Sequence, residues 1–377
     1  MTAQPTRVAH ILGSLEYAGL QRTVLALIRQ LPAYAHTVIV NSSNRGPMHE
    51  EFSSVSQVIP CSYKRGSLVD GARYLPRLVT TLRECETQVV LAHLFGNHAL
   101  VSLAGWRAGV SAIYGVSAND PVHYAGSRWQ PMALAQLARP FCRGEIAVSN
   151  SVARVLRSAL LLPARRVHVV PNGLAVEEIS ARADAGRIGT IDAAFDHHLL
   201  MVAWIARAKD HETAIRALAA LRRRGLSVCL RFAGGAYRQA RQVRLEELAA
   251  TLGVSGAVQF LGIRDDIPEL MGASDVVVHA THSEGLPITI LEAFAARTPV
   301  VASDIPACRE ALDGGQCGLL VPPRDHVAMA DAIELLLRNP GRGLALADQA
   351  FNRVQEHYHT KHMAAGYAKL IEAAVAS

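Results

Sequence analysis

An α/β fold made of two doubly wound parallel layers follows from three observations. Apolar strand-like runs alternate with helical patterns from end to end, the order that repeated βαβ units produce. At 377 residues the chain is long for a single core. Midway, Pro171-Asn172-Gly173 is a turn signal, and about 175–198 is polar, alanine-rich and without strand periodicity. The expected domains are therefore residues 1–174 and 175–356.

The strands can be taken in order. In the first half, Val8 to Leu12, His36 to Val40, Gln88 to Ala92, Ala112 to Val116 and Glu145 to Val148 are short apolar runs rich in β-branched residues, and Arg166 to Val170 is a further short one. In the second half the corresponding runs are Leu199 to Ile205, Val228 to Ala233, Val258 to Leu261, Val276 to Ala280 and Pro299 to Ala302. Helices fall between them, for example Leu20 to Leu31 and His211 to Arg224. No repeat of solenoid length and no low-complexity segment interrupts the alternation.

Composition narrows the function. Hydrophobic residues make up 50% and charged residues 19%, the balance of a soluble globular enzyme. No apolar run approaches the roughly 18 residues of a membrane span, and the first residues pass into a strand without a signal peptide. The six cysteines have no CxxC spacing, so reduced thiols, a cytoplasmic location and no zinc site are expected. Residues 1–175 carry 17 Lys and Arg against 8 Asp and Glu, whereas the remainder is slightly acidic. Such a basic half suits an anionic partner: phosphate groups, a membrane surface or nucleic acid. Few aromatics accompany the basic residues and no nucleic-acid motif occurs, which sets nucleic acid aside. No G-x-G-x-x-G follows the first strand and no GxxxxGK[ST] occurs, which weighs against a dehydrogenase and a phosphate-loop NTPase.

The most informative segment runs from Ser283 to Ala293. Glu284 and Glu292 stand eight positions apart across a loop that turns into a helix, after the apolar run Val276 to Ala280. Pro287 suits the first helical position. A helix beginning there aims the backbone N–H groups of Gly285, Leu286, Ile288 and Thr289 at one spot, which favours phosphate. Glu284 can reach a group beyond the phosphates, and Glu292 can accept from ribose hydroxyls behind them. Sugar, diphosphate and ribose fit that spacing in turn, so a nucleotide-sugar is the expected ligand.

From Asp275 to Pro306 the chain resembles the signature of retaining glycosyltransferases of family 4, with the two glutamates and the following Pro299-Val300-Val301-Ala302-Ser303-Asp304 strand. The resemblance extends over nearly the whole chain. It implies the GT-B fold, two Rossmann-like domains facing across a cleft, with the first holding the acceptor and a last helix, about 357–377, crossing back to it. In the second domain it implies a lysine for the diphosphate at Lys209. The family arginine five residues earlier is Trp204 here, with Arg207 as the nearby substitute. It also implies a glycine turn at Gly234 and a base-reading backbone near Ile263, and Asp266 is expected to cap the helix after it.

In the first domain, the resemblance implies a phosphate or acceptor loop at Gly19, where the family's double glycine is Ala18-Gly19 and its glutamate is Gln21. It carries His93 into the cleft, with Asn97 and His98 close behind. Ser117 occupies the position of a family histidine near the reacting centre and cannot play the same acid–base part. Asn119, Asp120 and His123 are the neighbours that could contribute. Ser149 is expected as an N-cap.

The expected function is retaining transfer of a hexose from a nucleoside diphosphate sugar, uridine first and guanosine second, to a hydroxyl on an acceptor glycan or lipid-linked sugar. The donor is a substrate rather than a cofactor, and without an Asp-x-Asp motif no metal is expected. The basic first domain suggests a peripheral position on anionic lipid at the inner face of the plasma membrane, with Arg154, Arg157, Arg165 and Arg166 beside Val155, Leu156 and Leu160. Two rivals follow: a nucleotide-sugar epimerase of the same fold, and a non-catalytic nucleotide-sugar-binding subunit, motivated by Trp204, Ser117 and Gln21.

Overall fold

The computed structural model describes residues 4–17, 19–43, 46–63, 68–93, 98–118, 139–158, 161–188 and 194–376. The chain divides into two compact units, Met1–Gly173 with Thr360–Ser377, and Leu174–His359.

The first unit contains strands β1 (Arg7–Leu12), β2 (Ala35–Val40), β3 (Gln57–Pro60), β4 (Val89–Ala92), β5 (Ala112–Ser117), β6 (Gly144–Ala147) and β7 (Val167–Val169). They form one parallel sheet in the order β3-β2-β1-β4-β5-β6-β7. Helices α1 (Gly19–Gln30), α2 (His49–Ser53), α3 (Leu68–Glu84), α4 (His98–Ala108) and α5 (Asn150–Ser158) lie between the strands. The period-2 alternation sends Val8, Leu91 and Tyr114 into one core and Ala9, Val90 and Ile113 into another, so both faces of the sheet are covered. Ser149 caps α5 as expected, its Oγ accepting from Val152 N at 3.1 Å.

The last helix shows why the C-terminal segment belongs here. Met363, Tyr367 and Ile371 recur every four residues and are buried in the core with Val8, Leu91 and Tyr114. Each buried side chain of this size contributes about 1.5–3 kcal/mol. This helix, Thr360–Val375, begins three residues later than expected, because the preceding helix, Pro340–His357, is a separate element. Between them, Tyr358 and His359 pair with Leu174: Leu174 N donates to Tyr358 O at 2.8 Å. The unit boundary thus falls at Gly173, one residue before the expected one.

The second unit holds β8 (His197–Val202), β9 (Val228–Ala233), β10 (Val258–Gly262), β11 (Val276–His279), β12 (Val300–Ser303) and β13 (Leu319–Val321). Its parallel sheet runs β10-β9-β8-β11-β12-β13. Helices α6 (Val176–Ile188), α7 (His211–Arg223), α8 (Gln239–Thr251), α9 (Ile267–Gly272), α10 (Ile288–Ala295), α11 (Pro306–Ala311), α12 (His326–Arg338) and α13 (Pro340–His357) surround it. Strand β8 stops at Val202 rather than Ile205, so Trp204 lies in a loop, not in the sheet. Sequence periodicity does not reveal β3 and β13: both are short, partly exposed edge strands without a continuous apolar run.

Candidate active site

Both sheets reverse strand order beside their first strand, between β1 and β4 in one and between β8 and β11 in the other. Loops leaving the carboxyl ends of such a pair run in opposite directions and open a crevice where ligands bind. In the second unit those two loops hold Lys209 and Glu284.

Backbone and side-chain hydrogen bonds zip the two loops together. Asp210 N donates to Ala280 O at 3.0 Å, His282 N to Ala208 O at 2.8 Å, and Thr281 Oγ1 to Ala208 O at 3.0 Å. Asp210 also caps α7, accepting from Thr213 N at 3.2 Å and Thr213 Oγ1 at 2.7 Å, so the helix start anchors the lysine loop. Lys209 Nζ is thereby brought to donate to Glu284 Oε1. His279, the buried last residue of β11, stands 2.9 Å from the same oxygen through Nε2. A carboxylate can only accept, so His279 carries its proton on Nε2. Among the described residues Oε2 of Glu284 has no hydrogen-bond partner.

Electrostatics fixes the protonation of Glu284 and His279. Burial pushes the Glu284 carboxyl up, but the Lys209 charge and the His279 hydrogen bond outweigh it and bring its pKa down to about 2. Burial lowers the His279 pKa, partly offset by Glu284. Near neutral pH Glu284 is therefore a carboxylate and His279 a neutral imidazole.

The helix after Glu284 starts one residue later than its sequence suggests. Pro287 is the N-cap, with φ −76° and ψ 87°, and α10 begins at Ile288. Ile290 N donates back to Pro287 O at 2.9 Å, so the groups with no preceding turn are those of Ile288 and Thr289. Gly285 and Leu286 are buried in the loop, and Glu292 is half-buried on the second turn.

Glycine geometry shapes the neighbouring wall. Gly234 has φ +149°, and a Cβ there would sit 2.1 Å from Ala203 O, so only glycine fits. Its N–H donates to Gly262 O at 2.7 Å, tying the turns after β9 and β10. Trp204 lies over Gly235 and stacks on Tyr237 with centroids 4.9 Å apart. Ile263 is 60% exposed beside Gly235. Arg207 is exposed and has no ion pair among the described residues. Asp266 occupies the N-cap of α9 but does not cap it. Its carboxylate binds Arg264 instead, at 2.8 and 2.5 Å.

In the first unit, His93 is buried at the end of β4 and heads a chain of three histidines. His93 Nε2 is 3.2 Å from His10 Nδ1, His10 Nε2 is 3.1 Å from His36 Nδ1, and His36 Nε2 is 2.9 Å from Leu31 O. Ser117 is also buried, and its Oγ donates to Glu145 Oε2 at 3.2 Å. His98 Nδ1 meets the other oxygen of Glu145 at 3.2 Å. At the position the resemblance gives to a histidine, Ser117 turns its hydroxyl inward to that carboxylate. Gly115 leaves room for it: a Cβ there would lie 2.3 Å from Glu145 Oε1. Gly19 starts α1, and Gln21 Nε2 donates to Ser14 O at 3.0 Å, a bond a glutamate carboxylate cannot make. Ala18, Asn97, Asn119, Asp120, His123 and Leu160 lie outside the described residues. Sequence reasoning missed His10, His36, His279 and Glu145, whose roles depend on contacts between separate strands and loops.

Comparison with known proteins agrees with this fold. Residues 196–353 match the model of the glycosyl transferases group 1, and residues 17–178 match that of Glycosyltransferase Family 4. The chain is 41% identical over 108 residues to a D-inositol 3-phosphate glycosyltransferase of Corynebacterium urealyticum, covering 28% of this chain and 26% of that protein. It is 25% identical over 337 residues to the putative glycosyltransferase EpsF of Bacillus subtilis, covering 84% and 83%. The matched stretch spans between 26% and 34% of the length of several curated relatives. Among solved structures, HepE of Anabaena in complex with UDP and glucose has a TM-score of 0.84 at 20% identity, over 98% of this chain and 100% of that one. WaaG, a glycosyltransferase involved in lipopolysaccharide biosynthesis, has a TM-score of 0.71 at 19% identity, over 95% and 98%. The fold is that of the GT-B glycosyltransferases. The chain belongs to the group 1, family 4 glycosyltransferases.

Proposed function

We propose that the chain transfers a hexose from a nucleoside diphosphate sugar to a hydroxyl acceptor, with retention at the anomeric carbon and no metal. The observation that carries this is the ionised Glu284, set between Lys209 and His279 just ahead of the α10 N-terminus, with Glu292 farther along the same helix. The diphosphate meets Lys209 and the first N–H groups of α10, which stabilise charge as the sugar bond breaks. Glu284 stays ionised near neutral pH and so does not act as a proton donor. It accepts from sugar hydroxyls and favours the positive charge that develops on the sugar ring. Glu292 accepts from the ribose. The departing phosphate takes the acceptor proton on the same face, so no protein base is required. Uridine is the first expectation and guanosine the second; the similarity to HepE, whose structures hold UDP and UDP-glucose, supports uridine.

The acceptor reading is a lipid-linked or cell-envelope glycan, with the protein resting on anionic lipid at the inner face of the plasma membrane. Arg154, Arg157 and Arg165 are exposed, and Leu161 beside them is 73% exposed. Leu156 does not belong to that surface, because it is fully buried in the fold. No helix among the described residues is long and apolar enough to cross a membrane. A Campylobacter jejuni relative, 35% identical over 118 residues, has a name that specifies a diphospho-undecaprenol acceptor.

Incubation with UDP- and GDP-hexoses and a short polyprenyl-diphosphate sugar tests the reading. Nucleoside diphosphate release coupled to an acceptor product of unchanged anomeric configuration is expected. Sugar isomerisation without acceptor would make the protein an epimerase, and binding without turnover a non-catalytic subunit.

A further inference from the structure

Beside Lys209 the second unit has a cavity of about 230 Å³. Its wall includes His211 and Glu212 from the start of α7 and Arg238, Arg241 and Arg244 from α8. The arginines stand at i, i+3 and i+6, which lines them along one helix face. Arg241 is half-buried, and the other two are exposed.

These arginines work against the helix that carries them. Arg238 is the N-cap of α8, makes no capping hydrogen bond, and no acidic residue follows in the first turn. Three guanidinium groups therefore gather at the positive end of a 13-residue helix, where anions are preferred and like charges at this spacing repel. Among the described residues none of the three has an ion-pair or side-chain hydrogen-bond partner. In the wall beside them His211 is 2% exposed, and its Nε2 has no hydrogen-bond partner. A buried nitrogen in that state is one that a ligand or an ordered water completes. Two independent features, an uncompensated basic cluster and an unsatisfied buried ring nitrogen, thus meet at one cavity.

We propose that this cavity is a site for free orthophosphate, separate from the donor's diphosphate, and that the ion bound there weakens donor binding across Lys209. Size selects a small ion: about 230 Å³ lies below the roughly 300–1,000 Å³ of pockets that enclose drug-sized ligands. Shape selects a tetrahedral one. The three guanidinium groups and the N–H groups of Gln239 and Ala240, which precede the first turn of α8, offer donors from several directions, whereas a carboxylate accepts in one plane. Glu212 selects phosphate over sulfate, because hydrogen phosphate carries an O–H to donate to it and sulfate carries none. Lys209 lines the cavity and also bonds Glu284, so it is the wall between the two sites. Negative charge in the cavity repels a diphosphate across that wall and draws on the same lysine. This coupling rests on the donor reading; the phosphate site itself does not.

Calorimetry on the full chain, with orthophosphate, sulfate, UDP and GDP as probes, tests the assignment. R241Q is expected to weaken orthophosphate binding about tenfold, and R238Q/R241Q/R244Q about a hundredfold, the scale of lost charge-assisted hydrogen bonds. The R223Q control, at the far end of α7, stays within about twofold of wild type. Sulfate binds wild type about tenfold more weakly than orthophosphate, and Glu212→Ala removes that preference. Saturating orthophosphate weakens UDP or GDP binding about fivefold and no further, and the nucleotide weakens orthophosphate binding by the same factor. If neither nucleotide binds wild type, the donor reading fails alone, and orthophosphate binding that the triple variant loses still supports the site. Sedimentation with vesicles of equal parts phosphatidylcholine and phosphatidate that R241Q abolishes would also support it, with a lipid headgroup as the source of the phosphate. Equal orthophosphate affinities in wild type and triple variant, no orthophosphate binding to wild type, or sulfate binding as tightly as orthophosphate overturns the proposal. Displacement of orthophosphate by nucleotide without a plateau also overturns it, because the ion would then sit in the diphosphate subsite. Removing repulsion at a helix start should leave the ligand-free Tm unchanged or higher. A marked fall would make the arginines structural and sink the proposal as well.

Discussion

His10 Nδ1 lies 3.2 Å from His93 Nε2 in the buried interior of the first unit, within a histidine chain whose far end sets the tautomer of both rings. The chain ends on Leu31 O, which can only accept, so His36 donates from Nε2 and accepts at Nδ1. His10 must then donate from Nε2 and accept at Nδ1, and His93 must donate from Nε2. The lone pair left over is on His93 Nδ1, which is buried and without a partner. His93 thus presents an acceptor at the carboxyl end of β4, on the switch-point side of the sheet.

Acid should weaken this unit before it affects chemistry. Burial, with a contribution from His98, lowers the His93 pKa to about 3, and burial lowers His10 and His36 as well. The unfolded chain takes up protons on these rings below about pH 6.5 while the native state does not, so stability falls as pH drops through that value towards 3. Glu284, held at about 2, adds a loss in the same direction below about 4.5. Melting curves from pH 8 to 4 should show Tm steady above pH 7 and falling below it. H93N, which keeps a donor toward His10 but does not titrate, should fall less steeply. A Tm independent of pH between 7 and 5 would contradict the assignment.

The two glutamates should separate kinetically. E284Q keeps the shape but removes the charge facing Lys209 and His279. It should lower kcat by about two orders of magnitude, the scale of losing one preorganised electrostatic group, with donor affinity little changed. Glu292→Ala should weaken donor binding by about 1–3 kcal/mol. Equal and small effects on both parameters would reduce both residues to structural roles.

On the proposed reading turnover should persist in EDTA, because Lys209 and the first turn of α10 would supply the positive charge beside a bound diphosphate. Loss of activity on chelation, restored by magnesium or manganese, is the opposing result.

Gly234→Ala should destabilise the second unit by about 1–3 kcal/mol, since its Cβ would stand 2.1 Å from Ala203 O at φ +149°. Urea unfolding measures this directly. A variant with unchanged midpoint would mean that the turn after β9 relaxes freely.

The sequence by itself determined the strand–helix alternation, the two units, and the candidate residues Lys209, Glu284 and Glu292. These are legible because buried parallel strands are short apolar runs and because the two-glutamate motif sits within one contiguous segment. Tertiary structure alone decided what those residues touch. His279 meets Glu284 because a strand end and the following loop fold onto each other, and Ser117 turns to a carboxylate on the next strand, Glu145. The His93–His10–His36 chain joins β4, β1 and β2, which lie side by side only after the crossover connections are made. Local pattern encodes burial and periodicity, whereas hydrogen-bond partners far apart in sequence are set by sheet order and register.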